Sequence, residues 1–361
     1  MADMFDYLVW RGDLSFSEIA PNEIDAAILS MIVYIDFARL TASEGKLAQF
    51  AEHYCIDDEY GSVKLGLIVP SKNINKLFCL SSKSRRFSQI EVVDYTAYTN
   101  ERENCQFAAA TFLLPGKRTF VVFRGTDDTI VGWREDCCLA FSEQIPAQKM
   151  ALEYLDAAAV KYPDRKIYVA GHSKGGNLAL YSATYCKSET KESLAKVYCF
   201  DGPGLSKKMV ASDEFSQVQR KLNIYIPQSS YIGIMFERGK KYKVVESRGK
   251  GPYQHDCFSW VLRGPRFAKL DEMSSRGKKN EEQFRIGMDS MTLEEKKDFV
   301  ETFFSIIDST GVKTLTDFTD DGAKKLTALV KSYSGLDKKK RDLMSAIIFK
   351  MFDFKRNKDS E

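Results

Sequence analysis

Gly171-His172-Ser173-Lys174-Gly175-Gly176 sets a serine between two glycines with the spacing of a nucleophile elbow. In such an elbow the turn is so tight that a Cβ at either glycine would strike the neighbouring strand or helix. Ile167 to Ala170 ahead of it is apolar and strand-forming. Asn177 to Cys186 behind it is Leu/Ala-rich with helical spacing. At that junction the serine Oγ stands above the sheet edge and at a helix N-terminus, where free N–H groups favour a developing oxyanion. The chemistry implied is nucleophilic attack on an acyl carbon. Chance could produce the bare pattern, but the flanking strand and helix and the extra Gly176 speak against it.

A serine nucleophile needs a base, and the base needs an acid to orient it. The chain has 3 histidines. His172 lies inside the elbow, and its side chain should point away from Oγ. His53 lies far upstream, before the sheet begins. His255 follows the last expected strand, in the chain order nucleophile, acid, histidine of α/β-hydrolases, and is read as the base rather than a structural histidine. The acid should follow a strand between Ser173 and His255. Asp201 does so, in Asp201-Gly202-Pro203-Gly204, although that sequence is also a turn builder. Asp256 is adjacent to the histidine, a poor place for an orienter, and is expected to cap local backbone. Asp213 falls on an expected helix. The oxyanion hole needs two N–H donors. One is expected from Lys174. The other is expected from Thr126, in the loop Arg124-Gly125-Thr126-Asp127-Asp128, with its hydroxyl a third donor or a brace. Arg124 and Asp136 should hold that loop by charge-assisted bonds. The reaction so read needs no cofactor and no metal.

The elements that must position these residues can be read along the chain. Met1 to Asp13 is a short apolar-polar run ending in a turn. Asn22 to Leu40 reads as a helix capped by Asn22, Thr41 to Tyr54 as a second, and Ser71 to Phe87 as loop-linked helices. Ile90 to Tyr95, Phe107 to Leu113 and Thr119 to Phe123 are strand-like, the last two joined by a turn at Pro115-Gly116. A helix over Ala147 to Tyr162 precedes the elbow strand. Strands follow over Lys196 to Phe200, Leu222 to Ile226 and Tyr242 to Ser247, with a helix over Lys208 to Leu222. This alternation implies an α/β fold: a mostly parallel central sheet with helices on both faces. From about Phe267 strand signals vanish. Thr292-Leu293-Glu294-Glu295 is a capping box for a helix to Asp308, and further helices are expected over Asp321 to Ser332 and Leu336 to Phe352. The division expected is a catalytic domain over 1–265 and a helical extension over 266–361.

The 361 residues suffice for one large domain and an accessory region, and 44% hydrophobic content supports a sizeable core. A net charge of +3 gives nucleic acid binding no support. No signal peptide or membrane-spanning run is seen, and the expected location is cytoplasmic. The eight cysteines lack C-x-x-C spacing and read as reduced thiols, not as disulfides or zinc ligands. The last helix begins with Lys338-Lys339-Lys340-Arg341 and ends apolar. Packing on the core is its preferred reading; peripheral contact with a membrane is the alternative. The oligomeric state is not legible.

Phe123-Arg124-Gly125-Thr126 with Trp133 and Asp136, the elbow, and Phe200 with Pro203 resemble the signature of class 3 (fungal triacylglycerol) lipases. The wider chain resembles more closely a bacterial branch, the Mbeg-like lipase-related proteins. The residues that fit it are Tyr7-Leu8-Val9-Trp10-Arg11-Gly12-Asp13, Asn22-Glu23-Ile24-Asp25-Ala26, Asp201-Gly202-Pro203-Gly204 and Gln254-His255-Asp256 with Trp260. The resemblance spans about residues 5 to 262. It implies an α/β-hydrolase fold and places Thr126 and Lys174 at the oxyanion hole. Two departures stand out. Class 3 lipases carry the acid after the strand that here is Leu222 to Ile226, where this chain has Ser229-Ser230-Tyr231-Ile232-Gly233. Either Asp201 supplies it or the triad is reduced to a dyad. Lys174 also stands where those lipases have an apolar residue, either attracting an anionic head group or pointing to solvent.

Three functions fit. The first is a serine hydrolase of lipid or other small acyl esters, with Tyr231 to Phe236 lining an acyl groove or merely packing at the sheet edge. The second is a hydrolase-fold binding module without turnover. The third is thioester hydrolysis or acyl transfer at the same serine.

Overall fold

The structure is a computed structural model that describes residues 1–40, 44–55, 71–319, 322–336, 338 and 341. The chain starts with helix α1 (Met4–Arg11), where the sequence suggested only a run and a turn. Asp3 caps it by accepting from the N–H of Phe5 and Asp6, and Asp6 accepts from the N–H of Asp3. Asn22 and Asp25 repeat that box at α2 (Glu23–Ile32). This helix stops short of the expected Leu40. The β-branched Ile32-Val33 pair is a poor continuation, and a separate 3-10 turn, Phe37–Arg39, is started by the Asp36 carboxylate. Strand β1 (Gly45–Lys46) leads into α3 (Leu47–Tyr54), and α4 (Ser71–Lys83) follows. His53 lies on α3. Packing of α3 on α4 brings Cys55 and Cys79 together as a disulfide, Cα–Cα 6.1 Å, which corrects the all-reduced reading; the other six cysteines are free.

Strands β2 (Glu91–Asn100), β3 (Cys105–Leu114) and β4 (Arg118–Phe123) form an antiparallel meander. From β4 the sheet is parallel through β5 (Lys166–His172), β6 (Leu194–Phe200), β7 (Leu222–Pro227) and β8 (Tyr242–Val245). Helices α5 (Ile130–Cys138) and α6 (Pro146–Lys161) cross from β4 to β5. Helices α7 (Lys174–Tyr185) and α8 (Ser188–Ser193) cross to β6, and α9 (Lys207–Val210) and α10 (Asp213–Val218) to β7. The single helix expected over Lys208 to Leu222 is thus broken, because Ser206 and Ser212 each accept a backbone N–H and start a new helix. Alternate residues of each strand face opposite layers. Phe120, Val122 and Ala170 pack on α1 to α4, while Val121, Phe123 and Val169 pack on α6 and α7. The fold is α/β, with a mostly parallel sheet covered on both faces.

Beyond β8, β9 (Leu262–Arg263) pairs with β10 (Arg266–Phe267), and β11 (Lys269–Leu270) adds antiparallel to β8 as the edge of the nine-stranded sheet. The sequence showed no strand past about Phe267, since two-residue strands are too short for alternation to register. Helices α11 (Ser275–Asp289), α12 (Leu293–Asp308) and α13 (Gly322–Gly335) complete the described chain. The helix expected over Leu336 to Phe352 falls almost wholly outside the described residues. Among the described residues no helix is long and apolar enough to cross a membrane.

The N-terminal layer is tied together by a buried polar network. The Arg86 guanidinium lies 2.7 and 2.6 Å from the two Asp25 oxygens, both side chains fully buried. The Tyr7 hydroxyl donates to Asp25 and accepts from Asn22. Tyr7, Asn22 and Asp25 belong to the N-terminal pattern noted in the sequence, and their arrangement is architectural.

Candidate active site

Ser173 sits between β5 and α7 at φ 57°, ψ −133°, a sparsely populated positive-φ conformation that costs a non-glycine residue about 1–3 kcal/mol. The glycines make the turn sterically feasible. A Cβ on Gly171 would lie 2.1 Å from the Gly175 carbonyl oxygen, and one on Gly175 would lie 2.2 Å from the Phe123 carbonyl oxygen. The Ser173 N–H is held by the Phe200 carbonyl at the end of β6 (3.0 Å), one residue before Asp201.

Asp201 also takes a positive φ, 45°, with its N–H on the Tyr225 carbonyl (2.8 Å). Its fully buried carboxylate reaches across to His255: Oδ2 lies 2.7 Å from Nδ1. Oδ1 accepts from the Ser230 hydroxyl (2.6 Å) and the Gly233 N–H (3.0 Å). Ser230 follows β7, and its hydroxyl donates to Asp201, which follows the neighbouring strand β6. Asp256 caps the Phe258 N–H (2.9 Å), with burial pushing its carboxyl up to about 6. Asp213 is the exposed first residue of α10.

The loop bearing His255 is pinned on three sides. Trp260 Nε1 donates to the Gln254 carbonyl (2.8 Å), and Gln254 Oε1 accepts the Ser229 N–H (2.8 Å). His172 donates from Nε2 to the His255 carbonyl (2.8 Å), its ring 4.4 Å from that of His255. Burial and the neighbouring His255 hold His172 neutral by lowering its pKa well below 6.5. With Nδ1–H of His255 directed at Asp201, Nε2 is left as the proton acceptor. Among the described residues, Ser173 Oγ and His255 Nε2 are not hydrogen-bonded to each other; such bonds often tighten only with substrate bound.

The loop after β4 passes directly over the serine. A Cβ on Gly125 would lie 3.1 Å from the Ser173 Cβ. Among the described residues the N–H groups of Thr126, in the loop after β4, and of Lys174, the first residue of α7, donate to nothing; for Lys174 this is what a helix start leaves unless a cap or ligand takes it. The Thr126 hydroxyl is a brace, bonded to Asp136 (2.5 Å). Arg124 pairs with Asp127 (3.1 Å) across the same loop.

Lys174 overturns both readings of it. Its side chain is 1% exposed, so it neither meets a head group nor points to solvent. The ammonium is bound by the carbonyl and side-chain oxygen of Gln106 (2.7 Å each) and by Glu135 (2.9 Å), with Asp136 at 3.7 Å. Glu135 in turn accepts the N–H groups of Gln106 and Ala147. Adjacent residues of α5 thus tether both candidate oxyanion donors, Glu135 through Lys174 and Asp136 through Thr126. The sequence reading missed Glu135, Ser230 and the role of His172. The one available signal for Glu135 was a lysine in a helix start too tightly packed to leave a cation unpaired.

A sheet parallel from β4 to β8 with the serine turn after its central strand, and an aspartate and a histidine meeting after later strands, defines an α/β-hydrolase fold. The model of the Mbeg1-like family matches residues 81–305, so the chain belongs to that family. Solved structures similar to it include two lipases. The crystal structure of M37 lipase is 12% identical with a TM-score of 0.39, covering 60% of this chain and 70% of that one. A triacylglycerol lipase from Penicillium expansum is 13% identical with a TM-score of 0.29, covering 68% and 94%. No curated protein matches.

Proposed function

We propose that the protein is a serine ester hydrolase acting on a lipid or other acyl ester through an acyl-enzyme intermediate. The observation that carries this reading is the buried Asp201–His255 pair, 2.7 Å apart, beside a serine held at positive φ. Nothing in the packing of a sheet requires that combination, and each part of it costs stability. Ser173 Oγ attacks the ester carbon, and its proton passes to His255 Nε2. The carbonyl electron pair moves onto oxygen, where the N–H groups of Thr126 and Lys174 receive it. Asp201 orients the imidazole and stabilises it when charged. Collapse re-forms the carbonyl and expels the alcohol oxygen, which takes the proton from His255. Water then repeats the sequence on the acyl-enzyme and releases the acid.

The absent Ser173–His255 hydrogen bond favours a second reading, a binding module without turnover. Intact mass after incubation with an alkyl fluorophosphonate separates the two. One adduct, lost in Ser173→Ala and His255→Ala, supports the hydrolase. An unlabelled wild type, with detergent present, overturns it. Comparing thioester with oxygen-ester turnover distinguishes thioester hydrolysis at the same serine.

A further inference from the structure

The loop that follows Thr126 is joined to the C-terminal part of the chain. Asp128 is 2% exposed, and its Oδ2 accepts the Thr316 N–H (2.9 Å) and the Thr316 hydroxyl. The Leu315 N–H donates to the Asp128 carbonyl (2.9 Å), and the Ile130 N–H to the Lys313 carbonyl (2.9 Å), with Thr129 and Thr314 bridged antiparallel between them. Residues 128–130 and 313–316 are therefore a short two-stranded ladder. It begins two residues after Thr126 and runs into the start of α5.

The same C-terminal region covers α5 itself. Ile130 packs with Val300, Phe304 and Ile307 of α12 and with Val312. The Arg134 guanidinium makes two bonds to Asp308 (2.6 and 2.7 Å) and lies over the Phe304 ring. Helix α5 carries Glu135 and Asp136, the partners of Lys174 and Thr126. The ladder partner, residues 313–316, lies beyond the part of the chain matched by the family model, which ends at 305.

We propose that segment 313–316, acting through Asp128, positions the oxyanion hole, so that the C-terminal region is part of the catalytic apparatus and not an appended module. This rests on the hydrolase reading, with Thr126 N–H as a donor. The local bonds Arg124–Asp127 and Asp127–Thr129 keep the loop turned. What they do not fix is where that turn stands relative to Ser173. The ladder ties the loop to a helix packed on α5, so Thr126 and Lys174 are referred to one rigid frame. A misplaced donor stabilises the transition state less while leaving ground-state binding nearly unchanged.

The test uses full-length Asp128→Ala, Asp128→Asn and Thr316→Val, with kcat and KM on a short-chain p-nitrophenyl ester and the rate of fluorophosphonate labelling. Removing one oxyanion donor outright costs about 10²–10³ in kcat, so displacing one should lower kcat and labelling by about 10–100-fold in Asp128→Ala. KM should stay within about twofold, and Asp128→Asn, which keeps an acceptor for Thr316, should recover most of the loss. Should Asp128→Ala fail to fold, Thr316→Val, which removes a single hydroxyl, carries the test with a severalfold loss in kcat. Wild-type kcat and labelling in a folded Asp128→Ala, or in Thr316→Val where Asp128→Ala does not fold, overturn the proposal while leaving the hydrolase reading intact. An inert wild type overturns both.

Discussion

The Lys174 ammonium lies 2.9 Å from the Glu135 carboxylate with both side chains buried, directly behind the serine turn. Removing one partner of a buried pair strands the other charge, which typically costs about 3–5 kcal/mol. Lys174→Met should therefore lower unfolding free energy by about that much in urea titrations. Pairing it with Glu135→Gln should recover part of the loss, since the fully buried carboxylate is then gone and only the partly exposed Asp136, 3.7 Å from the ammonium in the wild type, is left without its cation. A double mutant no more stable than Lys174→Met alone would show that the pair is not the source of the cost.

His172 donates from Nε2 to the His255 carbonyl, and burial, with the neighbouring His255, lowers its pKa well below 6.5. Below about pH 6.5 the unfolded chain takes up a proton there that the folded chain does not. Stability from this residue is present above that pH and is lost progressively as pH falls. Asp256 acts with the opposite sign. Burial raises its carboxyl from 3.8 to about 6, so the stability it contributes is present at low pH and lost as pH rises from about 4 through 6. Urea midpoints at pH 5 and 7.5 separate the two. His172→Gln, which keeps a donor for the carbonyl, should gain on wild type at pH 5. Asp256→Asn, which keeps the cap on Phe258, should gain at pH 7.5.

Asp201 is held from both sides, with Ser230 and Gly233 on Oδ1 and His255 on Oδ2. If it orients the base, Asp201→Asn should lower kcat by about 10⁴ by favouring the wrong imidazole tautomer, with KM little changed. Ser230→Ala should be milder. It removes one hydrogen bond to a carboxylate, of order 1.5–3 kcal/mol, and should lower kcat about tenfold or somewhat more. Steady-state kinetics on one short-chain ester decide both. An Asp201→Asn enzyme of wild-type kcat would remove Asp201 from the reaction and leave a serine–histidine dyad.

How legible each feature was follows the range of the interactions behind it. The elbow is local: Gly171 and Gly175 are demanded by contacts within the turn and with β4, so the spacing, read with the flanking strand and helix signals, exposes it. His255 was reachable by elimination among three histidines and Asp201 by its place after a strand. Lys174 was misread because its partner Glu135 is 39 residues upstream, and no periodicity reports that they meet. Helix α1 was missed because eight residues span barely two turns, although Asp3 and Asp6 already spelled its capping box. The break between α9 and α10 was likewise written in Ser206 and Ser212, which apolar spacing across the whole stretch obscured. The Cys55–Cys79 disulfide depends on how α3 packs on α4, which the spacing of scattered cysteines does not encode.

The Arg86–Asp25 pair gives a test of stability separate from activity. Both side chains are fully buried, and Arg86 also donates to the Leu14 carbonyl, so it ties α2 and the loop after α1 to the end of α4. Arg86→Met fills similar volume but leaves the Asp25 carboxylate with the Tyr7 hydroxyl and the backbone of Asn22, and no cation. Unfolding free energy should fall by about 3–5 kcal/mol. The double variant Arg86→Met/Asp25→Asn should regain much of it, because an amide can keep the Tyr7 and Asn22 contacts without a stranded charge. Neither should change kcat in the folded fraction, since the network lies in the N-terminal layer and touches none of Ser173, His255 and Asp201. A kcat loss in Arg86→Met exceeding the unfolded fraction measured by circular dichroism would instead mean that this layer helps to set the geometry of the serine turn.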